Sequence, residues 1–136
     1  MPRETKKAVT DKSQFSRFRT IADNFYKGAM AEKKSGRWNA SGVLMVHAAI
    51  AYADTATIKF GGVKSKGDDH QDVVSLLNDL LPPSEAKKNA LHQLERLIAH
   101  KSSVSYSGEI YDESDIEKLH KHLDRFKTWV EKQISG

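Results

Sequence analysis

Apolar residues return at helical spacing through most of this chain. Phe15, Phe18, Ala22, Phe25 and Ala29 form one stripe, with Arg, Lys, Asp, Asn and Gln filling most positions between them. That period predicts an amphipathic helix. "KKSGRWN" interrupts it, with Gly36 as the stop. A second helix is expected from Asn39 or Ser41, either of which can cap it, to Phe60. Gly61 and Gly62 end it, because glycine tolerates the left-handed conformation there. A third helix carries Val73, Val74, Leu77, Leu80 and Leu81, capped by Asp68 or Asp69 and stopped by Pro82 and Pro83. Ser84 caps a fourth, whose core face is Ala90, Leu91, Leu94, Leu97 and Ile98. "KSSVSYSGEIYDE" is turn-like and partly β-prone, an extended connection or irregular loop. "SDIE" at 114–117 has the spacing of a capping box, and Ile116, Leu119, Leu123, Phe126 and Val130 mark the last helix.

Five helices, three of them long, with short connections and no sheet, predict an all-α fold: an antiparallel four- to five-helix up-and-down bundle. Residues 1–12 read as a flexible tail and 13–136 as one domain. The second helix is rich in alanine (Ala48, Ala49, Ala51, Ala53, Ala56), and small side chains let neighbours approach closely, so it is expected at the centre.

Composition narrows the function classes. The 136 residues are 38% hydrophobic and 29% charged, which suits a polar globular domain. No stretch reads as the roughly 20 apolar residues of a membrane span, and "MPRETKKAVTDKSQ" lacks the apolar run of a signal peptide. A cytoplasmic protein with no membrane partner is expected. The absence of cysteine excludes disulfides, thiolate metal sites and a cysteine nucleophile. A net charge of +4 permits a phosphate-bearing partner without demanding one.

Polar residues in apolar surroundings are the candidates for chemistry. His47 and Asp54 lie two turns apart on one face of the central helix, about 10.5 Å along its axis, too far for a direct bond. They either flank one ligand or are satisfied polar residues of the core, since a lone buried charge is expensive. Lys64, Lys66, Asp68, Asp69 and His70 cluster where a glycine-bracketed loop enters the third helix. Helix N-termini favour anions, but the aspartates can occupy the same amides, and the cluster reads equally as a capped helix start. Arg96 and His100 are one turn apart, followed by Lys101 and Tyr106; the alternative there is a basic helix C-terminus complementing the dipole. Trp38 and Trp129 read as core or edge anchors, and His120 and His122 as surface residues. The spacings match no metal motif, phosphate loop, nucleophile elbow or dinucleotide fingerprint, so no catalytic residue, metal or cofactor is assigned.

The order of "NFYKGAMAEKKSGRWNAS", "VHAAIAYADTATIKFGG", "KSKGDDHQDVVSLL", "LERLIAHKSSVSYSG" and a final amphipathic helix resembles the HEPN superfamily, in particular its stand-alone bacterial members, over roughly residues 14–134. The resemblance implies a helical bundle, often dimeric. Many members bind or act on RNA or nucleotides, and some pair with small nucleotidyltransferases in toxin–antitoxin systems. Catalytic members use Arg-x(4–6)-His for metal-independent RNA cleavage. This chain departs from that motif: the permitted positions after Arg96 hold Lys101, Ser102 and Ser103, His100 falls one residue short, and no other arginine matches. The expectation is a non-catalytic, homodimeric module that binds RNA, a nucleotide or a partner protein, a nucleotidyltransferase among them. His47, Asp54, Lys64, Lys66, His70, Arg96, Lys101 and Tyr106 are expected to share one cleft. A divergent ribonuclease using Arg96, His100 and Tyr106 is the enzyme alternative. A structural protein whose polar seam fixes helix register is the third.

Overall fold

A computed structural model describes residues 7–66 and 71–135. A short strand β1 (Lys7–Val9) and a single 3-10 turn (Lys12–Gln14) lead into α1 (Phe15–Lys34) and α2 (Trp38–Gly61). Strand β2 (Val63–Ser65), α3 (Gln71–Leu80), α4 (Glu85–Ala99), the one-turn α5 (Lys101–Ser105) and α6 (Glu113–Ser135) come after them. The five helices of ten residues or more pack antiparallel, as their stripes require.

Helix α2 is the inner rod. Met45, Ala48, Ala49, Tyr52, Ala53, Ala56 and Ile58 have no exposed surface, and α1, α3, α4, α5 and α6 all touch it. Small residues make the close approaches possible. A Cβ on Gly42 would lie 2.8 Å from Val104 Cγ1, and one on Gly61 would lie 2.6 Å from Leu80 Cδ2. Gly62, at φ +62°, closes the helix with its N–H on the Ile58 carbonyl, 2.8 Å away. By length and composition alone α2 could cross a membrane, contrary to the expectation that no stretch is apolar enough; 67% of its apolar window is buried inside the bundle. A helix surrounded by others can be apolar all round without meeting lipid.

The cap residues partly match expectation. Ser84 Oγ accepts from the Lys87 amide at 2.9 Å and starts α4. Lys87 itself is buried, and its ammonium donates to the Asn78 and Leu81 carbonyls at 2.9 and 3.0 Å, placing a cation at the C-terminal end of α3. Helix α6 begins one residue before Ser114. Asp112 and Asp115 bond each other's amides at 2.9 and 3.0 Å, and Glu117, expected in the box, pairs with Lys33 at 2.7 Å instead. Helix α2 begins at Trp38. Neither Asn39 nor Ser41 caps it: Ser41 Oγ donates to the Ala29 carbonyl at 2.8 Å, locking α2 on α1. The caps expected for α3, Asp68 and Asp69, lie outside the described residues.

Two segments differ from expectation. Residues 7–9, expected within a loose tail, pair antiparallel with β2, Lys7 opposite Ser65 and Val9 opposite Val63, so the fold carries a two-stranded sheet. Part of the segment expected as loop, Lys101–Ser105, forms α5. Asn39 holds the chain between Val104 and Tyr111. Its amide nitrogen donates to the Val104 and Glu109 carbonyls, at 3.1 and 2.9 Å, and its oxygen accepts from the Tyr111 amide at 2.9 Å.

Candidate functional site

Of the eight side chains expected in one cleft, the seven described do not converge. Asp54 is buried, 6% exposed, near the C-terminal end of α2. Its Oδ1 has no hydrogen-bond partner, and burial pushes its pKa up to about 7 against the weaker opposing pull of Lys64. Lys64, on β2, lies with its ammonium 5.9 Å from the centre of the Phe18 ring. These two residues are therefore close enough for their charges to interact. Lys66 is exposed on the chain beyond β2, and His70 lies outside the described residues.

The others lie elsewhere. His47 is on the surface with its ring 5.9 Å from that of Phe25. Partial burial and then the charge of Lys101 hold its pKa below the usual imidazole value. Lys101 opens α5, whose Val104 packs on the first turns of α2. From Asn39, which grips that segment, to Asp54 the helix rises about 22 Å. Tyr106, 84% exposed at the end of α5, belongs to that remote end and not to the Asp54 crevice. His47 and Asp54 do share a face of α2, but one end of the face is open and the other is covered.

Arg96 belongs to a third group, on α4 and α6. His100 ends α4 with Nδ1 2.7 Å from the Tyr111 hydroxyl. Across from it on α6, His122 is half-buried, and its Nδ1 bonds Gln93 Oε1. Burial, then the charges of Arg96, Arg125 and His100, hold the His122 pKa below its ordinary value. Beside this cluster α4 and α6 part to form a groove of about 450 Å³. Asn89 and Gln93 line it from α4, and Arg125, Trp129, Lys132 and Gln133 from α6. Both rows keep helical spacing, so each was legible as one helix face; that the two faces meet depends on tertiary packing.

A further polar seam joins α1 to α6. The Tyr26 hydroxyl donates to Asp124 Oδ1 at 2.6 Å, and His120 Nε2 lies 3.0 Å from Asp124 Oδ2. His120 Nδ1 is 3.1 Å from Lys33 Nζ. Burial and the Asp124 carboxylate push the Tyr26 pKa up to about 12. Nearby, the Tyr52 hydroxyl donates to Asp23 at 2.6 Å, and burial raises its pKa too. His120 and His122, expected on the surface, are both half-buried and bonded. Every polar member of this seam has a partner, so it resembles a register-fixing network more than an open site. Among the described residues, no three His, Asp or Glu side chains gather in a way that could hold a metal ion.

The family described as HEPN domain matches residues 15–133, from the first residue of α1 to within two residues of the end of α6. The chain belongs to the HEPN domain family. Comparisons with curated proteins and with solved structures gave no match. The HEPN assignment agrees with the helical bundle and leaves the small β1–β2 pair outside the shared core only in part, since β1 precedes the matched span and β2 falls within it. In this HEPN domain the Arg96–His100 pair, one residue closer than the catalytic spacing, sits at the end of α4 beside His122 and Arg125 of α6.

Proposed function

We propose that this chain is a non-catalytic HEPN module that binds RNA through the α4–α6 face. The observation that carries the reading is the gathering of Arg96, His100, His122 and Arg125 from two helices, close enough that the first, second and fourth oppose protonation of His122. Among the described residues, the ion pairs engage Arg19, Lys33, Arg37 and His120, and neither Arg96 nor Arg125 has a carboxylate partner in them. Unpaired arginines on one face suit phosphates, which they can bond in a bidentate manner. Lys132 extends the face along the groove. A second copy of the chain and a small nucleotidyltransferase are the protein partners proposed, on the family relationship, and the cytoplasm the compartment.

The test is the affinity of a fluorescein-labelled single-stranded RNA, measured by anisotropy over a salt series. Phosphate contacts release counterions, so affinity falls steeply as salt rises. Arg125→Ala reduces that slope by roughly one on a log–log plot. Affinity that does not change between low and moderate salt contradicts the proposal.

One observation favours an enzymatic second reading, a divergent endoribonuclease. The Tyr111 hydroxyl fixes the His100 ring through Nδ1, one turn from Arg96, as a general acid or base would need. The tyrosine at His100 is thus Tyr111 rather than Tyr106. Incubation of RNA with the wild-type chain and with Arg96→Ala and His100→Ala separates the readings. The binding module cleaves nothing; cleavage lost in both variants establishes the enzyme.

A further inference from the structure

We infer that the groove between α4 and α6 is a nucleobase subsite in which the Gln93 carboxamide, set by His122, reads the edge of one base. This deepens the RNA-binding reading and rests on it. The groove is walled by carboxamides, Asn89 and Gln93 on one side and Gln133 on the other, with Arg125 and Lys132 on the α6 side. Cations position a phosphodiester and carboxamides discriminate among bases, so the two kinds of group needed for sequence preference stand side by side.

The His122 contact favours one end of the Gln93 amide over the other. Oε1 can only accept, so His122 Nδ1 carries the proton in this bond. Neutral imidazole with its proton on Nδ1 satisfies that requirement, and burial together with the neighbouring cations favours the neutral ring. The bond takes one of the two Oε1 lone pairs and leaves both NH₂ hydrogens, so the amide is left with more free donors than acceptors, held by a half-buried anchor. A donor selects a base edge that presents a carbonyl. Uracil offers O4 where cytosine carries the N4 amino group, so the subsite prefers uridine to cytidine. Trp129 lines the groove but is only 7% exposed, which leaves too little ring face for base stacking and gives edge hydrogen bonds the larger part of the discrimination.

The test compares oligo(U) with oligo(C) of equal length on the wild-type chain, on Gln93→Leu and on Gln93→Glu, with thermal melts to check folding. The wild type is expected to prefer oligo(U) by roughly tenfold, the worth of one well-placed base contact. Gln93→Leu levels the two affinities. Gln93→Glu replaces the donor by an acceptor and shifts the preference toward oligo(C), whatever it does to affinity for both. His122→Phe, which frees the amide, weakens the preference for oligo(U). Equal affinity for the two oligonucleotides on the wild type, or a preference that survives Gln93→Leu, overturns the subsite and leaves RNA binding standing. Absence of binding to either at low salt overturns the RNA-binding reading itself.

Discussion

Asp54 and Gln93 are both polar side chains on bundle helices, and the fold treats them in opposite ways. Asp54 is enclosed on the central rod with one oxygen unbonded. Gln93 is half-buried on an outer helix, its oxygen held by a histidine, and it lines a groove with two cations on its far wall. An enclosed carboxylate with an unbonded oxygen costs stability and titrates. An anchored amide at an open groove costs little and can recognise something. Burial of a polar group is therefore a poor guide to a binding site; what matters is whether its remaining hydrogen-bonding capacity faces solvent.

The difference is sharpest in its pH dependence. Asp54 has a folded-state pKa near 7, raised above the ordinary 3.8. Its protonated form is the one the fold favours, so its contribution to stability is fully present below pH 4 and is lost as pH rises through 7. Asp54→Asn removes that loss. The stability advantage of Asp54→Asn over wild type is expected to grow by up to about 4 kcal/mol between pH 4 and pH 8, measured by urea unfolding. An advantage that stays constant over this range would mean that Asp54 finds a partner in solution.

Gly42→Val attacks the central rod by volume rather than charge. The new side chain meets Val104 and Ile116, and the expected cost is about 2–3 kcal/mol with no direct effect on RNA affinity at temperatures where the variant is folded. Arg125→Ala, on the other region, should do the reverse: RNA affinity falls about five- to tenfold, near 1 kcal/mol, and the melting temperature stays within a degree or two. Arg19→Ala deletes the same charge from the α1–α6 surface, where Arg19 pairs with Glu131. Its expected cost is under about 1 kcal/mol of stability, and RNA affinity should not move. Equal loss of RNA binding in Arg19→Ala and Arg125→Ala would show that net charge, and not the α4–α6 face, governs the interaction.

Much of the fold was legible in the sequence because the long helices announce themselves twice, by an apolar stripe and by a stop. Phe15 to Ala29 marked α1, and Pro82–Pro83 with Ser84 separated α3 from α4. The elements that local pattern does not reveal are those that tertiary contacts hold in place. Helix α5 lies in a serine-rich stretch of weak propensity and is fixed by Val104 packing on Gly42 and by the Asn39 side chain. Strands of three residues, such as β1 and β2, carry too little alternation to read. The start of α6 was misplaced because two boxes overlap in "YDESDIE", and the Asp112–Asp115 pair won.

The site was legible only in pieces. Spacing correctly placed His47 and Asp54 on one face, but could not show that β2 and its Lys64 cover one end while the other end stays open. Arg96 and His100 were picked out from their own helix. Their companions Gln93, His122 and Arg125 depend on how α4 meets α6, a contact between segments roughly thirty residues apart that no local period encodes.

The most direct test of the central claim, that RNA is held by the α4–α6 face and not by the Asp54 crevice, is the RNA affinity of Arg96→Ala/Arg125→Ala beside that of Asp54→Asn at low salt and neutral pH. The account predicts that the double variant binds at least tenfold more weakly with a shallower salt slope, while Asp54→Asn binds as wild type does. Full affinity in the double arginine variant together with a loss in Asp54→Asn would contradict it.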